Sequence, residues 1–237
     1  MPEKTFHIVS LGCAKNTVDS DSMAQLLQRA GYKLVTSRQR ADIVIVNTCG
    51  FIDAARKESK DLLTKFAHTK RKGQVLIAAG CMAQRFSDEL KSNAPEIDGL
   101  IGTRRWMDIV DLTESLTDHR NPRTHYDLPE TTSIEDTIHR VSIQGASAYL
   151  KIADGCRRPC AFCSIPLIKG TAISRPMPSI ISEAQYLQEK GVKEIILIAQ
   201  DTTDYGYDLG IKNGLAKLLT GMIPAVPDVK WIRIMYA

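Results

Sequence analysis

Three cysteines crowd one short stretch, in the run Asp154-Gly155-Cys156-Arg157-Arg158-Pro159-Cys160-Ala161-Phe162-Cys163. Their spacing is C-x3-C-x2-C. Thiolates this close together can hold three corners of an iron–sulfur cubane, whose usual ligands are cysteine. The fourth iron then keeps an open position, as a catalytic metal does and a structural one does not. Zinc is the competing reading. A structural zinc usually takes four protein ligands, yet no fourth Cys or His follows nearby, and His125 and His139 lie upstream.

The remaining cysteines, Cys13, Cys49 and Cys81, are dispersed. Each follows an apolar run and has a glycine beside it, namely Gly12, Gly50 and Gly80. A glycine there permits a tight turn and close backbone approach. In a reducing compartment six cysteines favour metal or catalytic roles over disulfides. Three unrelated buried thiols would be the bland alternative.

The elements around these residues explain how the dispersed trio meets. Apolar, β-branched runs predict strands at 6–11, 42–46 and 74–79, with a short one at 99–101. Helical spacing predicts helices at 19–30, 54–68, 82–91 and 106–116, the first stopped by Gly31. Such alternation implies an α/β fold with a doubly wound parallel sheet. Parallel strands place their carboxyl ends on one edge, where open α/β sheets bind ligands. Cys13, Cys49 and Cys81 all fall at strand ends, so topology predicts one shared rim.

Residues 121–133 are polar, contain Pro122 and Pro129, and lack periodicity, as a connection between domains does. Residues 134–142 are ambiguous. After them, strands are predicted at 148–153, 194–199 and 229–235, and helices at 178–190 and 215–222. A strand, the cysteine loop and repeated helix–strand units match the beginning of a parallel (β/α) barrel, which carries its sites on the loops after the strands. The next such loop is Gln200-Asp201-Thr202-Thr203. The expected division is 1–122, a linker over 123–144, and 145–237.

Composition agrees with a globular protein: 43% hydrophobic, 24% charged, net charge +4 and pI near 8.7. The charge is too mild to demand nucleic acid. The basic stretch at 57–72 reads as a solvated helix face. No run approaches the roughly 20 apolar residues of a membrane span, and the first residues lack a signal-peptide pattern. A cytoplasmic protein without membrane or DNA partners is expected.

The C-x3-C-x2-C loop after a first barrel strand, with Phe162 before the last cysteine, resembles the radical S-adenosylmethionine enzymes. By that resemblance Cys156, Cys160 and Cys163 bind a [4Fe–4S] cluster, and Phe162 lies near the adenine of S-adenosylmethionine. The motifs Leu11-Gly12-Cys13, Asn47-Thr48-Cys49 and Gly80-Cys81 narrow the likeness to the methylthiotransferases, implying a second [4Fe–4S] cluster on Cys13, Cys49 and Cys81 that holds or relays sulfur. The stretch from Leu11 to Ser20 (with Lys15-Asn16 and Val18-Asp19-Ser20), Ala148 to Cys156, and Ala199 to Thr203 resemble the protein-modifying branch, the RimO-like methylthiotransferases of ribosomal protein S-twelve.

That likeness implies transfer of a methylthio group to an aspartate β-carbon. It implies ribosomal protein S-twelve or the small ribosomal subunit as partner, and an electron donor such as flavodoxin or ferredoxin. It places Gln200 and Asp201, with Asp154, near cofactor or substrate, with capping or turn roles as the alternative. Arg157, Arg158 and Arg175 read either as solvent-exposed side chains or as groups that meet the acidic substrate loop or the methionine carboxylate, and Lys15 and Asn16 are candidates to shape the first pocket. Family members continue through a full barrel and a TRAM domain, so the chain is expected to be a carboxyl-terminally truncated member with about three barrel strands. A tRNA adenosine methylthiotransferase and a non-catalytic iron–sulfur or zinc module are the rival readings.

Overall fold

The computed structural model describes residues 4–117 and 145–237. The expected linker, the ambiguous stretch at 134–142, and His125 and His139 lie outside the described residues. The chain divides into two compact units, Met1–Glu130 and Thr131–Ala237.

The first unit is built on five parallel strands: β1 (Thr5–Ser10), β2 (Lys33–Leu34), β3 (Ile43–Thr48), β4 (Val75–Gly80) and β5 (Gly99–Gly102). Its helices are α1 (Ala14–Arg29), α2 (Asp53–His68), α3 (Cys81–Arg85), α4 (Ser87–Asn93) and α5 (Ile109–Thr117). The spatial order is β2-β1-β3-β4-β5. The chain therefore reverses its direction of winding between β1 and β3, and a crevice opens there at the carboxyl ends.

Ile43-Val44-Ile45-Val46 is buried along its whole length, as a central parallel strand must be. Val44 and Val46, with Leu76, Ala78 and Leu100, pack beneath Leu63 and Ala67 of α2 and Met82, Ala83 and Leu90 of α3 and α4. Alternation turns Ile43, Ile45 and Ile77 to the opposite face, on the side of α1 and α5, where Met23, Leu27, Ile109 and Leu112 are buried. Each such aliphatic side chain contributes roughly 1.5–3 kcal/mol by leaving water. The expected doubly wound parallel sheet is present.

Two helix boundaries differ from the sequence reading. α1 starts at Ala14, five residues before the apolar periodicity begins, because polar Lys15, Asn16, Asp19 and Ser20 turn inward and are buried. The helix expected over 82–91 breaks at Phe86, whose backbone (φ −127°, ψ 37°) is not helical. The Phe86 ring there receives the guanidiniums of Arg56 and Arg85 at 4.3 and 4.9 Å. In the basic stretch, Lys60 pairs with Glu89 and Lys70 with Asp98, both at 2.7 Å.

The second unit contains β6 (Ser147–Lys151), β7 (Ala153–Asp154), α6 (Ile165–Lys169), β8 (Ile173–Ser174), α7 (Met177–Glu189), β9 (Glu194–Ile198), α8 (Gly214–Ala225) and β10 (Trp231–Ile234). β10, β9 and β6 form a parallel sheet in that order, and β7 pairs antiparallel with β8. Ile180, Ala184 and Leu187 of α7, and Leu218 and Met222 of α8, pack on Leu150, Ile195 and Leu197. These are the βαβαβ units of a (β/α) pattern. The strand expected over 148–153 divides at Ile152, where the chain changes partner. Ile152 N–H still donates to Ile198 O at 2.9 Å, while Ile152 O accepts from Arg175 N–H of the β8 side, also at 2.9 Å.

Candidate functional site

None of the six cysteines is in a disulfide. In the first unit, register brings the dispersed trio together. Thr48 pairs with Gly80, so Cys49 and Cys81 leave neighbouring strands at the same level. Ser10 pairs with Asn47, so β1 runs out beside them and Cys13 follows at the start of α1. The glycines set the separation. A Cβ on Gly12, where φ is +92°, would lie 2.7 Å from Cys49 Cβ, and one on Gly50 would lie 2.9 Å from Met82 Cα.

Asn16 ties the rim. Its Nδ2 donates to Leu11 O at 2.8 Å and Thr48 O at 3.1 Å, and its Oδ1 accepts from Cys81 Sγ at 3.8 Å. Asn47 donates to Asn16 O and Ser20 Oγ, both at 2.9 Å. Ser59 brackets Cys49, accepting from its N–H at 3.0 Å and donating to its carbonyl at 3.1 Å. Cys13 is exposed, whereas Cys49 and Cys81 keep 8% and 5% of their surface. Burial pushes the Cys49 thiol up; an N–H from Phe51 opposes this, and the charges of Cys13 and Glu58 add to it. Lys15, expected to shape this pocket, is buried in the first turn of α1.

In the second unit all three cysteines lie on the loop between β7 and α6. Cys160 is exposed and Cys156 and Cys163 are half-buried. Gly155 precedes them with φ +75°, and a Cβ there would strike Thr171 O at 2.0 Å. Cys156 N–H donates to Gly170 O at 3.0 Å, which closes the base of the loop. Asp154 lies directly beneath, accepting from Gly155 N–H at 3.0 Å, Lys169 Nζ at 3.0 Å and Lys151 Nζ at 3.3 Å. Burial would raise its carboxyl, but the two ammonium groups outweigh that and hold it well below the usual carboxylate range.

The arginines are engaged within the unit. Arg157 grips Asp204 through Nε at 2.6 Å and Nη2 at 2.5 Å, and its guanidinium lies 3.7 Å over the Tyr207 ring. Arg158 Nε donates to Asp201 Oδ2 at 2.8 Å. Arg175, read as solvent-exposed or substrate-facing, is instead buried against Glu183 at 2.6 Å, Lys151 O at 2.8 Å and Ser179 Oγ at 3.1 Å. Asp201 also caps the short 3-10 turn Thr202–Asp204 by accepting from Thr203 N–H at 3.1 Å. Gln200 is half-buried between β9 and that turn. Phe162 is 91% exposed beside Cys163.

The sequence reading missed Lys151, Lys169, Ser59, Asp204 and Tyr207. Among the described residues no group of three or more His, Cys, Asp or Glu side chains is placed to hold a single metal ion. Each trio offers a donor set of soft sulfur alone, which suits iron–sulfur chemistry. Among the described residues no helix is long and apolar enough to cross a membrane.

Comparison with known proteins found relatives in sequence and in fold. The sequence model of a family described as "Uncharacterized protein family UPF0004" matches residues 5–102. Proteins named "Ribosomal protein uS12 methylthiotransferase RimO" are similar over nearly the whole chain. The one from Roseiflexus sp. (strain RS-1) is 44% identical, across 98% of this chain and 53% of its own length. That from Chloroflexus aurantiacus is 45% identical, across 98% and 54%. That from Clostridioides difficile is 44% identical, across 96% and 51%. The chain thus spans about half the length of the curated relatives it matches. The resemblance carried by the motifs is borne out.

Two solved structures share the fold. The radical S-adenosylmethionine methyltransferase TsrM from Kitasatospora setae, with cobalamin and a [4Fe–4S] cluster bound, aligns at TM-score 0.64 and 12% identity, covering 97% of this chain and 54% of that one. The cobalamin-dependent S-adenosylmethionine radical enzyme OxsB aligns at TM-score 0.56 and 11% identity, covering 97% and 38%.

Proposed function

We propose, taking that likeness as the premise, that the chain is part of a radical S-adenosylmethionine methylthiotransferase acting on an aspartate β-carbon of ribosomal protein uS12. Residues 1–122 form its methylthiotransferase domain, 123–144 a linker and 145–237 the first part of its radical domain. Cys13, Cys49 and Cys81 would hold one [4Fe–4S] cluster, and Cys156, Cys160 and Cys163 the other. Bound there, the clusters supply a sulfur-binding iron and the electron that cleaves S-adenosylmethionine to a radical.

The chain's own residues supply position and charge. Asn16 and Asn47 hold the rim of the first trio in register. Arg157 and Arg158 fasten the cysteine loop to the segment after β9. Phe162 offers a solvent-facing ring for adenine, and Gln200 and Asp201 lie on the neighbouring loop as cofactor contacts. The partners are uS12 or the small ribosomal subunit and a one-electron donor of the flavodoxin or ferredoxin kind, and the reaction is cytoplasmic.

The observation that carries this reading is the pair of separate all-sulfur trios, one on a sheet's switch point and one on a single loop. Anaerobic reconstitution of the chain tests it. About eight irons per chain are expected. The triple variant Cys156→Ala, Cys160→Ala, Cys163→Ala should keep about four and form no 5′-deoxyadenosine. Incubation with uS12 or with tRNA, followed by mass measurement, separates the two substrates. A methylthio increase on tRNA alone would move the reading to the tRNA-modifying branch, and zinc in place of iron would end it.

A further inference from the structure

We infer that Ser59, buried on the inner face of α2, is a positioning residue. Its hydroxyl holds the main chain of Cys49 so that the side chain is already set on the rim for an iron–sulfur group shared with Cys13 and Cys81. The inference rests on the reading of these three cysteines as cluster ligands.

Ser59, Leu63 and Ala67 are the buried residues of α2, spaced four apart on one stripe of the helix. Leu63 and Ala67 pack in the core with Val44 and Val46. A hydroxyl on the same stripe, at 0% exposure, costs stability unless it is hydrogen-bonded. Serines and threonines inside helices commonly turn back to the carbonyl four residues earlier. Ser22 does so to Val18 O, Thr117 to Thr113 O and Thr220 to Ala216 O, each at 2.9 Å. Ser59 reaches instead to the end of β3. Its Oγ accepts from Cys49 N–H at 3.0 Å and donates to Cys49 O at 3.1 Å.

Cys49 is where such a grip matters. The ladder between β3 and β4 ends with Thr48 opposite Gly80, so Cys49 is the first residue past it. One hydroxyl then bonds both its amide and its carbonyl. Holding the peptide groups on either side of a residue fixes the direction of its Cα–Cβ bond. Here that bond points to Gly12, where an added Cβ would meet Cys49 Cβ at 2.7 Å and Sγ at 3.0 Å. Gly12 adjoins Cys13. On the other side Gly50 is pressed on α3, where an added Cβ would lie 2.9 Å from Met82 Cα and 3.3 Å from the carbonyl carbon of Cys81. Cys49 is thus seated between the two segments that carry its fellow cysteines. Partners that orient a metal ligand without touching the metal typically change its affinity by about 10–100-fold when removed. Ser59 has that relation to Cys49, and it touches no reacting atom in this scheme.

The test uses the full chain with Cys156→Ala, Cys160→Ala and Cys163→Ala, so that the first trio alone remains. It is reconstituted anaerobically with iron and sulfide, and about four irons are expected. Ser59→Ala should surrender its iron to a chelator about tenfold faster than this parent. After reduction by dithionite, its electron paramagnetic resonance spectrum should also differ from the parent's. Leu63→Val is the control: it opens space in the same core but removes no hydrogen bond, and it should keep the parental release rate and spectrum. A parental rate and spectrum in Ser59→Ala overturns the inference, and so does an equal acceleration in Leu63→Val. If the parent takes up no iron and sulfide, the ligand reading fails instead. Should circular dichroism show Ser59→Ala unfolded, hydrogen exchange of the parental apoprotein decides. The Cys49 amide should be protected before any iron is added, and exchange at the rate of an unprotected peptide overturns the inference.

Discussion

Arg157 and Asp204, 47 residues apart in sequence, are joined by two charge-assisted hydrogen bonds that fasten the cysteine loop to the segment after β9. The guanidinium's flat fork matches both carboxylate oxygens, and its face rests on Tyr207. An ammonium can supply neither contact in that form. Arg157→Lys should therefore behave nearly as Arg157→Ala does. Hydrogen exchange should accelerate at the amides of residues 156–164 in both variants, while the amides of β9 stay protected. Unaltered exchange in the loop would show that the strap holds nothing.

Gly155 gives a second expectation. Its positive φ disfavours any side chain, and Thr171 O occupies the space a methyl would need. Gly155→Ala should cost more than about 2 kcal/mol in the second unit. Urea unfolding followed by the fluorescence of Trp231 reads this directly. A cost within about 0.5 kcal/mol, typical of a surface substitution, would contradict the packing described.

Asn16 makes a comparable case in the first unit. Asn16→Ala would leave Leu11 O and Thr48 O without their side-chain donor and remove the acceptor of Cys81 Sγ. The expected loss is about 2–4 kcal/mol, from two carbonyls at about 1–2 kcal/mol each. Asn16→Asp keeps the shape but takes away the donor, so it should not restore stability. The measure is thermal or urea unfolding of the apoprotein, monitored at Trp106.

Alkaline pH should weaken the second unit through Tyr205. Its buried hydroxyl donates to Arg175 O at 2.8 Å. Burial pushes the phenol up to about 12 from 10.0, only partly offset by the Arg175 charge. Because the folded value is the higher one, the contribution is complete below pH 10 and falls away as pH rises toward 12. An ultraviolet titration should lose a late-ionising tyrosine in Tyr205→Phe, and that variant should flatten the stability profile over that interval. Loss of stability with the same slope in Tyr205→Phe would assign the alkaline transition to another group.

Much of this organisation was legible in the sequence. Ile43-Val44-Ile45-Val46 could be little other than a buried parallel strand, and once the strands were placed, Cys13, Cys49 and Cys81 had to share an edge. The loop at Cys156 needed only spacing. What stayed hidden depends on long-range pairing. Lys151 and Lys169 look like solvent-facing lysines until Asp154 is seen between them. Asp204 and Tyr207 read as turn residues, since nothing local announces Arg157. Lys15, Asn16 and Asp19 are polar enough to mask the first turns of α1, which only the buried rim explains. Phe86 sits in a helical pattern and breaks it, and nothing local announces the two arginines that approach its ring.

The register in which Thr48 faces Gly80 has a consequence for how the protein comes into being. The later cysteines are neighbours even in a fully unravelled polypeptide, so a metal donor can meet them on a short peptide. The earlier three have no common location until a sheet with non-local pairing has closed. Denaturant should thus scatter the earlier three while leaving the later three within reach of one another, and during biogenesis the residues translated first are the last to become a receptor.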